Sequence, residues 1–202
     1  MNDLFYNISY KEQAKLLKLF ESYARVYTKN SYISINIREN TIGFITKGSL
    51  EVIKTDYNGN QKLTDNLNEN DIFLSYLYND EYSIIAKDDV EILFIDYESV
   101  LLLNNNSNYF IQFLKNLLNI FSLLIEEKNK HIEILSKKSI RDKLLEYFNI
   151  TSNHKKTIYL PYSYTFLADY LSIDRTAMTR ELKNLKDEGF ISTKGRKITL
   201  LY

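Results

Sequence analysis

Two arginines, two threonines and a lysine lie close together near the carboxyl end of this chain: Arg175, Thr176, Thr179, Arg180 and Lys183. Spacings of three and four residues place side chains on one face of a helix. Arginine can donate two hydrogen bonds to guanine O6 and N7 or bind a phosphate, and short hydroxyls fit tight base or backbone contacts. The pattern therefore predicts a helix surface that binds nucleic acid.

Two helices joined by a short turn at residues 172–173 are predicted to position this surface. Ser163 can cap the first helix and Asp174 the second, because a short polar side chain satisfies the free amides of a first helical turn. Gly189 can adopt the left-handed backbone conformation that ends the second helix. The predicted core positions of the two helices are Phe166, Leu167, Leu171, Met178, Leu182 and Leu185.

A hairpin with a basic tip follows the second helix. Residues 191–200 alternate apolar and polar side chains around Lys194-Gly195-Arg196-Lys197, and three cations at one tip suit phosphate contacts. The order predicts a winged helix-turn-helix; the alternative is a small α/β subdomain with solvated arginines. The predicted DNA contacts are Ser163, Tyr164, Arg175, Thr176, Thr179, Arg180, Lys183, Lys194, Arg196 and Lys197.

The charges are divided between the two halves of the chain. The total is neutral, with 26 basic and 26 acidic residues, but from Ser136 onward thirteen lysines and arginines face seven acidic residues. The second half therefore carries a net charge of +6 and the first half −6, so only the second half is suited to a polyanion. This division favours a separate sensing or regulatory domain in the first half.

Composition excludes several classes of protein. The chain has no cysteine, which rules out disulfides, thiolate metal sites and cysteine-ligated iron–sulfur clusters. No apolar run is long enough to span a bilayer and the start lacks a signal peptide, so we expect a cytoplasmic protein without a membrane partner. The bias towards Asn, Ile, Lys and Tyr is typical of AT-rich bacterial coding sequences.

The first half reads as mostly β-structure. Short strands are predicted at residues 42–45, 50–53, 63–67, 82–86 and 90–96, with a turn at 56–60, after an amphipathic helix at 10–23. A small antiparallel barrel or sandwich is the expected result.

A long helix with two apolar stripes is predicted between the halves, at residues 109–135. One stripe can pack on its own barrel, and pairing of the other with a second chain would remove it from water. The alternative is one buried helix inside a monomer. The packing stripe is Phe110, Phe113, Leu117, Ile120 and Leu124. The stripe predicted to form the dimer, called the seam below, is Ile111, Leu114, Leu118, Phe121, Ile125, Ile132 and Leu135.

The whole chain resembles the Crp/Fnr family of bacterial transcription regulators, through residues 42–52, similar to the family's first barrel strands, and residues 160–200. The resemblance implies an α+β fold: an N-terminal antiparallel, cupin-like β-roll at residues 1–105, a central dimerisation helix at 106–136 and a C-terminal winged helix-turn-helix at 137–202. It implies a homodimer that binds an inverted repeat in double-stranded DNA, with RNA polymerase as a candidate further partner.

The resemblance also assigns residues of the recognition helix. Arg175 matches the family's guanine-reading arginine, Thr176 the neighbouring base-contacting position, and Arg180 the second arginine of that helix. Thr176 stands where the family frequently has glutamate, so we expect a half-site that differs from the usual one.

The sensor differs more from the family. Members that bind cyclic nucleotides have a Gly-Glu pair and an Arg-Ser pair, and residues 70–78 and 81–83 contain neither. A phosphate would meet Asp80 and Glu81 without a cation, so we expect an effector other than cyclic AMP. Phe73, Tyr76 and Tyr82 are a candidate site for a small apolar or aromatic effector, although tyrosines in this position are more often core or lid residues.

Cofactors and catalysis are not expected. His131 on the long helix and His154 in a loop read as solvated residues, which leaves no histidine for haem. A metal-dependent cupin enzyme would need histidines or carboxylates converging inside the barrel, where no histidine is predicted. A regulator that binds a small molecule or a protein but not DNA is the other alternative, which the arginines and the basic hairpin disfavour.

Overall fold

The computed structural model describes residues 3–34, 40–75, 78, 81–102, 106–153, 155–160 and 163–202. They form two compact units, residues 1–124 and 125–202, called the first and second unit below. The boundary falls inside the long helix, whereas the predicted three-part division has boundaries after residues 105 and 136. That division remains a prediction.

Two antiparallel four-stranded sheets build the first unit. The strands are β1 (Tyr23–Tyr27), β2 (Tyr32–Ile33), β3 (Thr41–Lys47), β4 (Leu50–Thr55), β5 (Gln61–Leu67), β6 (Ile72–Leu74), β7 (Tyr82–Ala86) and β8 (Val90–Asp96). One sheet has the order β1-β8-β3-β6 and the other β2-β7-β4-β5. All of the predicted strands are confirmed. Sequence analysis missed β1, β2 and β6.

Alternation along β8 explains why the first sheet has two buried faces. Ile92 and Phe94 face the core between the two sheets, whereas Leu93 and Ile95 face a second core formed with the helices. The helices of this unit are α1 (Tyr10–Leu19), α2 (Tyr97–Leu102) and the first part of α3 (Asn108–Ser136). The sheet that contains β8 therefore lies between the core inside the β-roll and a layer of helices.

Helix α1 is shorter than predicted. Its start is fixed by Ser9, whose backbone amide donates to the Glu12 carboxylate at 3.0 Å. The predicted end at residue 23 is wrong, because the Ser22 amide and hydroxyl both donate to the Leu17 carbonyl and Glu21 is left-handed, with φ of 47°. This arrangement stops the helix at Leu19, and Tyr23 begins β1.

Helix α3 is confirmed as one continuous helix of 29 residues. The predicted packing stripe faces the first unit's helical core, with Phe110, Phe113 and Ile120 buried. Asn116 interrupts this apolar pattern: its amide donates to the carbonyls of Leu4 and Tyr6 at 3.0 and 2.8 Å. The buried amide thereby fixes the amino-terminal segment on α3.

The second unit contains three further helices and one small sheet. Helix α4 (Ile140–Ser152), which sequence analysis missed, precedes β9 (Thr157–Tyr159), α5 (Tyr164–Tyr170), α6 (Arg175–Asp187), β10 (Ile191–Lys194) and β11 (Lys197–Leu200). The sheet has the antiparallel order β10-β11-β9. One core joins all of these elements to Ile134 of α3. The α+β fold with a long central helix and a winged helix-turn-helix is confirmed.

Gly43 on β3 tests the packing of the β-roll. A Cβ atom at this position would overlap the buried ring of Phe73, across the β3–β6 pair. Gly43→Ala should therefore lower the free energy of unfolding by about 1–3 kcal/mol, measured by urea denaturation. In a Phe73→Leu background the same substitution should cost less, since the overlapping ring is gone. Equal costs in both backgrounds would contradict the assignment.

Candidate nucleic-acid interface

The caps of helix α6 are those expected from the sequence. The Asp174 carboxylate accepts a hydrogen bond from the Ala177 amide at 2.8 Å, which satisfies a free amide of the first turn. Gly189 follows the helix with φ of +80°. The predicted core residues of α5 and α6 are all buried in the second unit. Burial of this stripe fixes which face of α6 meets solvent.

The predicted binding face of α6 is exposed. Arg175, Arg180 and Lys183 lie in solvent, and within the described residues none of the three has a carboxylate partner. Thr176 and Thr179 are exposed beside them. The Thr179 hydroxyl donates to the Arg175 carbonyl at 2.9 Å, so only its acceptor capacity remains for a ligand. The face is an uncompensated cationic surface.

The wing presents two further exposed cations. β10 and β11 pair through Lys194 and Lys197, and Gly195 at the turn has φ of +59°. Lys194 and Arg196 are exposed, whereas Lys197 is partly buried, with its ammonium 5.7 Å from the centre of the Tyr159 ring. The tip therefore has two cations without a carboxylate partner among the described residues and one that packs on an aromatic side chain.

Two of the predicted DNA contacts have structural partners of their own. Ser163 caps α5, with its hydroxyl accepting from the Phe166 amide at 3.2 Å. The Tyr164 hydroxyl donates to the Gly195 carbonyl at 3.2 Å, which ties the start of α5 to the wing turn. Direct DNA contact by either residue remains a prediction.

Arg141 of α4 makes contacts with the end of α6 that sequence analysis missed. Its guanidinium forms two hydrogen bonds with Glu188, lies 3.6 Å from the Glu181 carboxylate and sits over the Phe190 ring. This hydrogen bonding lowers the pKa of the Glu188 carboxyl and raises the pKa of Arg141. The pair joins α4 to the end of α6. The 47 residues between the partners leave no local signal that could have predicted it.

The two apolar stripes of α3 differ in exposure. Four seam residues are exposed by 41% (Ile111), 65% (Leu118), 62% (Ile125) and 63% (Ile132). The other three, Leu114, Phe121 and Leu135, are partly buried. The packing stripe, by contrast, lies against the first unit's core. A single chain therefore leaves most of the seam in contact with solvent.

The predicted effector site is largely core. Phe73 is buried and packs edge-on against Phe94 and Tyr78, and Tyr82 is partly buried beside Tyr78. Tyr76 lies outside the described residues. Burial raises the pKa of Tyr78, with a smaller contribution from Asp65. Whether Phe73 and Tyr82 bind an effector stays a prediction.

The expectation that no cation lies beside Glu81 was wrong. The Lys54 ammonium is 3.1 Å from the Glu81 carboxylate and 5.3 Å from the centre of the Tyr82 ring. Hydrogen bonding to Glu81 raises the pKa of Lys54. The sequence could not show this pair because the partners meet across β4 and β7. Asp80 lies outside the described residues.

A cavity lies on the outer side of the β-roll. An apolar cavity of about 400 Å³ is bounded by β3, β6, α2 and α3, with Ile42 and Val100 among its lining residues. It does not include Phe73 or Tyr82.

The histidine expectation is corrected as well. His131 was expected to be solvated, but it is partly buried and its Nε2 lies 2.7 Å from the Tyr170 carbonyl. His154 lies outside the described residues. Across the described ranges, no cluster of three or more histidines and carboxylates could hold a metal ion. Of the helices formed by described residues, none is long and apolar enough to cross a membrane.

The second unit matches a known family model. Residues 140–202 match the model of the Crp-like helix-turn-helix domain. This part of the chain is therefore similar to Crp-like helix-turn-helix domains. The model includes α4 through the wing, so the exposed cations of α6 and the wing belong to one DNA-binding module. The search of curated proteins found no match to the chain.

Solved structures extend the likeness to the whole chain. A CooA variant from Carboxydothermus hydrogenoformans is 20% identical, with coverage of 93% of this chain and 90% of that one and a TM-score of 0.70. A cyclic nucleotide-binding domain containing protein from Listeria monocytogenes is 16% identical (93% and 96% covered, TM-score 0.67). TTHA1359, a CRP/FNR-family transcriptional regulator from Thermus thermophilus, is 17% identical (89% and 94%, TM-score 0.55).

The chain has the Crp/Fnr regulator fold, with a β-roll like that of cyclic-nucleotide-binding domains. The likeness of the whole chain is one of fold, and residues 140–202 in addition match the Crp-like helix-turn-helix family model.

The Arg141–Glu188 pair gives a pH-dependent test. A carboxyl whose pKa is lowered in the folded state stabilises the fold above its ordinary pKa, and the contribution is lost as pH falls through the lowered value. Carbon NMR titration should find the Glu188 pKa below that of a free glutamate, and Arg141→Gln should raise it towards the ordinary value. Lys138→Gln, which removes an exposed cation three residues before Arg141 in the sequence, should leave it unchanged. An unaltered Glu188 pKa in Arg141→Gln would contradict the pairing.

Proposed function

We propose that this chain is a sequence-specific transcription regulator that binds an inverted-repeat operator as a homodimer and responds to an effector other than cyclic AMP. The observation that carries the proposal is the set of exposed cations on α6 and the wing, which lack carboxylate partners within the described residues. Folding does not require these positive charges to lie close together, but binding to phosphates and to guanine edges does.

Each part of the surface has a separate role in this proposal. Arg175 lies in the first turn of α6, the part of a recognition helix that reaches base edges in a major groove. Thr176 and Arg180 complete the reading face. Lys194 and Arg196 lie on the wing, where flexible cations hold phosphates without reading sequence. Tyr164 supports the wing turn through its hydrogen bond to Gly195.

Dimerisation through the seam would give the two-fold symmetry that an inverted-repeat operator requires. Exposed apolar side chains on a helix that already packs its other stripe favour pairing with a second copy. A two-fold pair would place the recognition helices about 34 Å apart, one turn of DNA. RNA polymerase is a further candidate partner.

The effector assignment rests on charge. Lys54 is already paired with Glu81 and so offers no free cation to a cyclic phosphate. If the protein selects no DNA sequence from a random library, the alternative of a regulator that binds only a small molecule or a protein is favoured.

Selection from a random-sequence duplex library, followed by affinity measurements, tests the DNA contacts. Arg175→Ala should lose roughly 1–3 kcal/mol on the selected operator and relax preference at one base pair per half-site. Lys194→Ala and Arg196→Ala should instead weaken all sequences alike and each lower the salt slope by about one.

Arg25→Ala is the matched control, since this arginine is exposed on β1 of the first unit, outside the winged helix. It should bind operator like the wild type. An Arg175→Ala protein with full affinity and selectivity would contradict the assignment of Arg175.

The dimer is tested by two pairs of charged substitutions on α3. Leu118→Glu with Ile125→Glu places two carboxylates on the seam, which should give a monomer by sedimentation and abolish binding to the inverted repeat. Asn119→Glu with Leu123→Glu adds the same charge to another exposed part of the helix and should leave the dimer intact. An unchanged dimer in the seam variant would place the interface elsewhere.

A further inference from the structure

His131 joins the end of α3 to the first helix of the helix-turn-helix. Its Nε2 lies 2.7 Å from the backbone carbonyl of Tyr170, the last residue of α5. Its ring stacks on the Tyr170 ring, with centroids 3.9 Å apart and planes 5° from parallel. Since a carbonyl only accepts, the imidazole donates through Nε2. Hydrogen bond and stack together fix both the position and the orientation of the His131 ring.

The contact gives a hydrogen-bond donor to a carbonyl at the end of α5. The last carbonyls of a helix have no amide partner within the helix, and basic side chains near its end can donate to them. Among the described residues, two side chains do so at the end of α5: His131 donates to Tyr170, and the Lys143 ammonium donates to the carbonyl of Leu171, the C-cap residue, at 3.1 Å. Only His131 comes from α3, whereas Lys143 belongs to α4.

Tyr170 is itself held by other rings. The ring centroids of Phe166 and Tyr147 lie 6.1 and 5.9 Å from that of Tyr170, so His131 stacks on an aromatic side chain that the second unit's core already fixes. Ile134, one turn further along α3, is buried in that core. The Lys137 ammonium, just beyond α3, lies 2.9 Å from the Glu146 carboxylate of α4. The carboxyl-terminal part of α3 is thus built into the second unit.

The same part of α3 carries seam residues. Ile125 and Ile132 are exposed, on the second unit's side of the boundary. Ile132 directly follows His131 in sequence. Ile132, which would face the partner chain, and His131, which contacts α5, are therefore adjacent on one helix. Helix α5 in turn shares its core with α6 through Leu167, Leu171 and Met178.

We propose that His131 is a positioning residue for operator recognition. By fixing α3 to α5, it sets where α6 lies relative to the seam, and in a two-fold dimer that distance sets the separation of the two recognition helices. The inference rests on the proposed dimeric operator binding and adds that half-site spacing is read through His131. Loss of the contact should leave each α6 able to read its half-site but free to vary in position.

The experiment measures binding of full-length variants to three kinds of duplex: the selected inverted repeat, the same repeat with its half-site spacing changed by two base pairs in either direction, and a single half-site. His131→Ala should bind the half-site like the wild type, bind the optimal repeat roughly tenfold more weakly, and discriminate less between spacings. His131→Gln keeps an amide donor for the Tyr170 carbonyl and should recover part of the spacing preference. Sedimentation should show that both variants remain dimers.

Lys143→Ala is the matched control, because it removes the other cap of α5 without touching α3. It should keep the wild-type spacing preference. Equal losses on the repeat and the half-site in His131→Ala would show that His131 only stabilises the fold, and an unchanged spacing preference would also contradict the proposal. A wild-type protein that prefers no spacing would instead overturn the dimeric operator, and the role of His131 with it.

Discussion

Helix α3 carries more apolar surface than its own chain covers. Its packing stripe is buried against the β-roll and the amino-terminal segment, but Leu118, Ile125 and Ile132 remain largely in solvent. Removing apolar side chains from water is the main favourable term in association as well as in folding. The exposed seam is thus the constraint from which the proposed dimer, its two-fold symmetry and the paired recognition helices all follow.

Charge supports the same division of labour. The neutral chain separates into an acidic first half and a basic second half, and the basic side chains of α6 and the wing lack acidic partners within the described residues. Two other cations of the second unit are used differently: Arg141 pairs with Glu188 and Lys137 with Glu146. These two cations are neutralised by carboxylates, whereas those of the proposed interface remain available to phosphates.

Features that depend on neighbours in sequence could be predicted. The caps by Ser163 and Asp174, the stop at Gly189, the basic hairpin and the extent of α3 follow from local hydrogen bonding and periodicity, and the structure contains all of them. The periodicity of α3 also separated its packed stripe from its exposed one.

Features that depend on distant partners could not be predicted. His131 and Tyr170 are 39 residues apart, and their contact arises only from the packing of the second unit. Lys54 meets Glu81 only because β4 pairs with β7. Strand β1 was missed because its residues are mostly exposed and give no alternating apolar signal. The early end of α1 depends on the left-handed backbone of Glu21. This position is not a glycine, so no local sequence signal indicates a helix end there.

Guanine methylation protection tests the central claim most directly. If two copies insert α6 into successive major grooves, guanine N7 atoms on the selected operator should be protected in two patches about 10 base pairs apart on one face of the duplex. Symmetric protection of this kind, lost at the matching guanine in Arg175→Ala, is the predicted result. A single protected patch, or binding without any N7 protection, would contradict a dimer that reads DNA through α6.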